Sequence, residues 1–215
     1  GMQTSFNAYS YYGHTPLTAA LFSIKYEFTS DKPSLPKNMT EIGTQSYQTE
    51  TNVPSTIHLY EYNNTLPLGF MMNMSTDANW DKETGNPFMT QNNFVKSAVN
   101  GGSNIFHKLQ TSDTVGTFTA AYQLDEGDTF KPTKKEQTFD IYFYCVTSSE
   151  SLTATITNGS ITDDNSTTKT FSSTNQNYIC HIGNVSAGST ITITSGDGQA
   201  LSSCYAYAFD EAAWK

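Results

Sequence analysis

The sequence has 215 residues, enough for one large domain or two small ones, and only 14% of them are charged. That share is well below the roughly 25% of ordinary globular chains, and abundant Thr, Tyr, Phe and Ile favour β-strands over long charged helices. Lys and Arg total 11 against 20 Asp and Glu, and the resulting net charge of −9 argues against nucleic acids and anionic membrane surfaces as partners.

The apolar runs are short, and the chain start is unusual. The longest runs, at 19–22 and 66–72, fall far below the ~20 residues that a membrane helix needs. The opening Gly1-Met2 is typical of a tag-cleavage remnant before an internal start. We therefore expect a larger parent protein.

Residues 1–110 are predicted to form a small α+β domain. Thr15 followed by Pro16 is typical of a helix start, which predicts a helix over residues 16–22. Alternation of apolar and polar residues predicts a strand over 24–28, and two prolines predict a loop over 31–38.

A hairpin and a second helix are predicted to complete this first domain. The strand over 56–62 is expected to turn at Asn63-Asn64-Thr65 and return over 68–73. The second helix would end at Asn100-Gly101-Gly102, because apolar residues recur at helical spacing just before it, at Phe94, Val95, Ala98 and Val99.

Residues 111–215 are predicted to form an antiparallel β-sandwich, jelly-roll-like in arrangement, so that the fold class is mostly β. Six alternating segments are separated by polar turns: 117–124, 137–146, 152–157, 177–182, 189–194 and 202–209. The Ser/Thr-rich stretch 163–176 is predicted to be a long turn, with Phe171 as its anchor in the core.

The three cysteines leave two alternatives open. Cys145, Cys180 and Cys204 all lie among apolar neighbours in strand-like patterns, which favours three buried thiols. One disulfide with a free thiol is the alternative. Their spacing does not indicate a zinc site.

No catalytic motif is recognised, and we predict no catalytic residue, metal or cofactor. A lone histidine in a strand, such as His58 or His181, is predicted to be a surface or hydrogen-bonded residue. The acidic loop 77–83 resembles the opening of a calcium loop. Lys82 and Phe88 stand where an EF-hand has its Gly and its Glu, so a solvated polar loop is predicted instead.

Four residues are candidates for ligand binding. Trp80, together with Tyr11, Tyr12 and His14, offers aromatic rings with polar edges, which are suited to stacking on a sugar face. The alternative is that these aromatic residues pack the small core of the first domain.

Three segments together resemble the YfhO family of bacterial multi-pass membrane proteins. They are YSYYGHTPLT running into LFSIKYEF (9–28), HLYEYNNTLPLGF (58–70) and NPFMTQNNFVKSAVNG (86–101), in the family's order and spacing. Ser23 stands where the family usually has Gly. The specific part of the resemblance covers residues 9–102, and the β half is similar to the family's C-terminal extracytoplasmic sandwich.

The resemblance implies a glycosyltransferase-like membrane protein of the C type, in a Gram-positive bacterium. Such a protein would add sugars from a lipid-linked donor to lipoteichoic acid or related cell-wall polymers outside the cell. Its catalytic acid would lie between early membrane helices, outside this sequence, so no catalytic residue is carried over and this part alone is expected not to be an enzyme.

The expected partners are therefore the transmembrane remainder of the same polypeptide and a cell-wall glycan or teichoic-acid polymer. Two alternatives stay open. In the first alternative, the chain is a free-standing carbohydrate-binding or surface adhesion module. In the second, it is an independent glycoside-active enzyme.

Overall fold

Antiparallel strands dominate the computed structural model, which describes residues 15–30, 38–72, 80, 85–99, 101–111, 119–123, 138–162 and 165–215. The helices are α1 (Pro16–Leu21), α2 (Pro87–Ala98) and α3 (Glu211–Trp214), with a 3-10 turn at Thr174–Gln176. The strands are β1 (Tyr26–Thr29), β2 (Met39–Gln48), β3 (Pro54–Tyr62), β4 (Phe106–Lys108), β5 (Gln110–Thr111), β6 (Thr119–Gln123), β7 (Thr138–Val146), β8 (Ser151–Thr157), β9 (Thr168–Ser172), β10 (Cys180–Ser186), β11 (Thr190–Ser195) and β12 (Ser202–Phe209).

The strands form three antiparallel sheets, in the orders β1-β3-β2, β10-β7-β12-β4 and β5-β6-β11-β8-β9. The four-stranded and five-stranded sheets share one buried core, to which β7 contributes Ile141 and Phe143 and β11 contributes Ile191 and Ile193. The two sheets therefore pack face to face, and the mostly-β class with an antiparallel sandwich is confirmed. The jelly-roll likeness stays a prediction.

Strand β7 is buried on both faces. Ile141 and Phe143 point into the sandwich, whereas Tyr142 and Tyr144 belong to a second cluster beneath α1 and α2. Because both faces are covered, the strand is an almost uninterrupted apolar run rather than an alternating one. The four-stranded sheet is thus the middle layer between the five-stranded sheet and the helices.

Local capping sets where the two longer helices begin. The Thr15 hydroxyl accepts a hydrogen bond from the Thr18 amide, and the Thr18 hydroxyl accepts one from the Thr15 backbone N–H, with Pro16 at the first helical position. This confirms the predicted helix to within one residue. The Asn86 side chain accepts from the amides of Phe88 and Met89, so α2 begins well before the apolar residues that predicted it.

One strand prediction is wrong, and one strand was missed. Residues 68–72 are not a strand, and β3 pairs instead with β1 and β2. Leu68 and Met71 are 95% and 100% exposed, and Pro67 and Gly69 interrupt any ladder there. Strand β2 was missed because its second half is exposed on both faces and carries no apolar period.

The predicted long turn 163–176 is also wrong in part, because it contains β9, which pairs with β8. Strand β9 alternates exposed Ser and Thr with half-buried Lys169 and Phe171 at the sheet edge, so most of its sequence resembles a loop. Phe171 does anchor this segment as predicted. Its ring meets Phe143 edge-to-face, with ring centroids 5.1 Å apart.

The cysteines are free thiols, as the favoured alternative predicted. Cys145 and Cys180 are buried in the sandwich, and Cys204 is only partly buried beside them. The division into domains 1–110 and 111–215 stays a prediction. Strand β4 of the first part pairs with β12 of the second. The predicted loop over 31–38, apart from Asn38, and the acidic loop 77–83, apart from Trp80, lie outside the described residues.

Candidate functional site

A cavity of about 730 Å³ opens between α1, α2 and the helix-covered side of the four-stranded sheet. We call it the Trp80 cavity. Its volume lies within the usual range for small-molecule sites, roughly 300–1,000 Å³. The described lining residues are Leu17, Thr18, Leu21, Phe22, Trp80, Pro87, Thr90, Gln91, Phe94, Tyr144, Gln176, Asn177, Tyr178 and Ile179.

Trp80 is held in a fixed orientation at the wall of this cavity. Its indole N–H donates to the Thr90 carbonyl oxygen at 3.0 Å. Its ring meets Phe94 edge-to-face, with centroids 4.9 Å apart. The residue remains partly exposed. The indole is therefore positioned before any ligand arrives, which lowers the ordering cost of binding.

The two helices that form one side of the cavity are tied together by a buried hydrogen bond. The Thr15 hydroxyl donates to Gln91 Oε1 at 2.7 Å, and Gln91 Nε2 donates to the Pro87 carbonyl at 3.3 Å. Thr15 is the residue that caps α1, so the same side chain sets the helix start and its position against α2.

The opposite wall comes from β7 and the segment before β10. The Tyr178 hydroxyl donates to the Ser172 carbonyl at 2.6 Å, and Asn177 Oδ1 accepts from the Thr147 amide at 3.1 Å. Burial raises the pKa of the Tyr144 hydroxyl above its usual range, so Tyr144 stays neutral and can donate a hydrogen bond at pH 7.

None of the described residues lining the cavity carries a charge. Aromatic rings supply flat apolar surface, and amide and hydroxyl groups of Gln176 and Tyr144 lie at the same wall. An uncharged ligand with an apolar face and several hydroxyl groups fits this chemistry, because stacking covers its face while its hydroxyls find partners.

The structure describes one of the four predicted binding residues. Trp80 lies in the cavity, whereas Tyr11, Tyr12 and His14 lie outside the described residues, and their part in binding stays a prediction. The sequence reasoning missed Tyr144 and Tyr178. Tyr144 stands out only because a polar-tipped ring interrupts the apolar run of β7, a weak signal without the fold.

The described histidines each face a carboxylate. His58 Nδ1 lies 2.8 Å from Glu41 Oε1, and His181 Nε2 lies 2.5 Å from Asp140 Oδ1, so both are hydrogen-bonded as predicted. His107 Nε2 lies 3.2 Å from Asp210 Oδ2. Within the described ranges, no three His, Cys, Asp or Glu side chains converge as a metal site.

Comparison with known proteins gives one match. A family model described as "Bacterial membrane protein YfhO" matches residues 1–205, nearly the whole chain. No curated protein and no solved structure matches. Among the described helices, none has both the length and the apolar character required to span a bilayer.

Proposed function

Because the chain belongs to the YfhO family of bacterial membrane proteins, we propose that it is the extracytoplasmic part of a multi-pass, glycosyltransferase-like protein. In this proposal the parent protein adds sugars from a lipid-linked donor to lipoteichoic acid or a related cell-wall polymer. The family match covers all three segments that predicted the kinship from sequence, so that prediction is confirmed.

Within the parent protein, we assign this chain a non-catalytic role in holding the glycan acceptor. The catalytic groups would lie in membrane segments outside this sequence. The outer domain would then keep a sugar chain near the mouth of the membrane part, which raises its effective concentration there.

The observation that carries the proposal is the Trp80 cavity. Its described lining is uncharged, and its key aromatic ring is fixed by Thr90 and Phe94. Neutral sugars present an apolar ring face for stacking and hydroxyl groups for hydrogen bonding. A cavity built for a charged substrate would carry an opposite charge, and none of the described lining residues supplies one.

The chain has two tryptophans, Trp80 and Trp214, which allows a site-specific binding assay. In the Trp214→Phe variant, Trp80 is the only indole, and we expect its fluorescence to change on titration with neutral oligosaccharides of glucose, galactose or N-acetylglucosamine. Lipoteichoic acid serves as the polymeric probe, and the cavity is expected to bind its neutral sugar substituents rather than its anionic backbone. The Trp80→Ala change should weaken binding by roughly tenfold, since aromatic stacking contributes about 0.5–1.5 kcal/mol beyond buried area.

Trp80→Phe provides the matched control, because it leaves Trp214 as the reporter. Trp214 packs near Phe209, with ring centroids 6.3 Å apart, outside the cavity lining. Its fluorescence should stay constant during the same titration. If the Trp80→Ala variant is retained on lipoteichoic acid and on the oligosaccharides as well as the unchanged protein, the cavity is not the glycan site.

A further inference from the structure

A second, smaller cavity of about 300 Å³ lies on the other side of α2, between that helix and β4. We call it the lysine cavity. None of its lining residues belongs to the Trp80 cavity. The described lining residues are Met89, Asn92, Asn93, Lys96, Asn104, Phe106, His107, Lys108 and Tyr207.

Lys96 and Lys108 differ from the other lysines that the structure describes. Lys25 Nζ lies 3.4 Å from Glu61 Oε1, Lys215 Nζ lies 2.8 Å from Glu211 Oε1, and Lys169 Nζ donates to the Ile182 carbonyl at 3.0 Å. Within the described ranges, Lys96 and Lys108 have neither a carboxylate nor a carbonyl partner. Both line the same cavity.

Lys96 and Lys108 are both exposed, and together they give this cavity a positive potential that attracts an anion. Two ammonium groups at one small cavity add to each other's attraction for an anion, and no carboxylate among the described residues pairs with either of them. Asp210, the acid that contacts the lining residue His107, is already engaged by that histidine and by the amides of Ala212 and Ala213 at the start of α3. In a chain of net charge −9, two unpaired cations at one cavity mark a local positive site.

Neutral hydrogen-bond donors line the same cavity as the two cations. Asn93 and Asn104 have no side-chain hydrogen bond among the described residues. The Tyr207 hydroxyl accepts from Asn86 Nδ2 at 2.9 Å, which leaves its own proton to donate. Asn92 is different, because all of its hydrogen bonds go to the backbone at the start of β4.

We propose that the lysine cavity binds a phosphate group carried on a small polar molecule or a lipid headgroup. A phosphate group carries up to two negative charges and several acceptor oxygens. These match the two ammonium groups and the two free amides of the cavity. The volume is at the low end for ligand sites, so it admits a phosphate with a short attached group. The site is separate from the proposed glycan cavity.

The test is a titration of the whole 215-residue chain at low ionic strength with inorganic phosphate and with glycerol 3-phosphate, followed by calorimetry or NMR. The Lys96→Gln/Lys108→Gln variant should bind at least roughly tenfold more weakly. The Lys96→Arg/Lys108→Arg variant keeps the charge and should retain most of the affinity. The control is Lys25→Gln/Lys215→Gln, which removes the same net charge elsewhere and should change affinity by less than about twofold.

Vesicle sedimentation separates the two sources of phosphate. Lysine-dependent retention on phosphatidylglycerol vesicles would assign a lipid headgroup, and soluble binding without retention would assign a free phosphate ester. The proposal is overturned if inorganic phosphate, glycerol 3-phosphate and the vesicles all fail to bind, or if acetate binds as tightly as phosphate. It is also overturned if both Gln double variants lose affinity equally. A Trp80→Ala variant should bind phosphate normally, so failure of the glycan proposal would be seen independently.

Discussion

Asn92 is expected to hold α2 against the four-stranded sheet through three buried hydrogen bonds. Its Nδ2 donates to the Phe106 carbonyl at 2.8 Å, and its Oδ1 accepts from the amides of Ile105 and Phe106, both at 2.9 Å. An Asn92→Leu change keeps the number of side-chain heavy atoms and the branching at Cγ, and leaves three main-chain groups without partners. Each such buried group costs about 1–3 kcal/mol, so the free energy of unfolding should fall by roughly 3 kcal/mol or more.

This loss is a large fraction of the free energy of unfolding of a typical domain, which is roughly 5–15 kcal/mol. With a urea dependence of about 2 kcal/mol per molar, a loss of about 3 kcal/mol lowers the unfolding midpoint by about 1.5 M. Circular dichroism and tryptophan fluorescence, recorded together in phosphate-free buffer, measure this shift and test whether unfolding is two-state.

Asn93→Leu is the matched control. It lies one position further along the same helix, receives the same gain in helix propensity, and has no side-chain hydrogen bond among the described residues. Its unfolding free energy should change by no more than about 0.5 kcal/mol. If the two variants differ by less than about 1 kcal/mol, the three hydrogen bonds of Asn92 do not fix the helix.

Two further predictions concern ionisable groups. Burial raises the pKa of Tyr122 and Tyr142 above the ordinary value of 10.0, so these phenols ionise first in the unfolded chain. Their contribution to stability is therefore complete below about pH 10 and is lost as the pH rises further, and ultraviolet titration should show them ionising together with alkaline unfolding. A hydrogen bond from Cys145 lowers the pKa of Cys204, whereas burial raises that of Cys180 to about 12. Cys204 should thus react first with a disulfide reagent in a mass-spectrometric time course, and Cys145→Ala should slow it several-fold; equal rates at Cys204 and Cys180 would contradict this.

The sandwich was predictable because its strands bury apolar side chains at a regular period. Strand β8 alternates half-buried threonine with buried Leu152, Ala154 and Ile156, so its period of two is visible in the sequence. Strands β2 and β9 were not predictable in this way. Both strands pair with neighbouring strands, while most of their own side chains are polar or exposed, so that pairing is decided by tertiary context.

The candidate sites could be predicted from the sequence to a smaller extent than the sandwich. Trp80 was identified from its chemistry alone, but Tyr144 and Tyr178 reach the same cavity from a different part of the chain. Lys96 and Lys108 are twelve positions apart on a helix and a strand, so no basic segment is visible in the sequence. Sequence reasoning detects charge along the chain and misses charge that folding brings together across it.

The burial of β7 on both faces limits which walls of the Trp80 cavity can change in sequence. Phe143 and Tyr144 are adjacent in the chain, but one packs the sandwich and the other lines the Trp80 cavity. A shift of one residue along the strand would exchange these roles on both faces at once. Substitutions that reshape the cavity are therefore expected in α1, α2 and the segment before β10. The side chains of β7 are less free to change, because the same strand also packs the sandwich core.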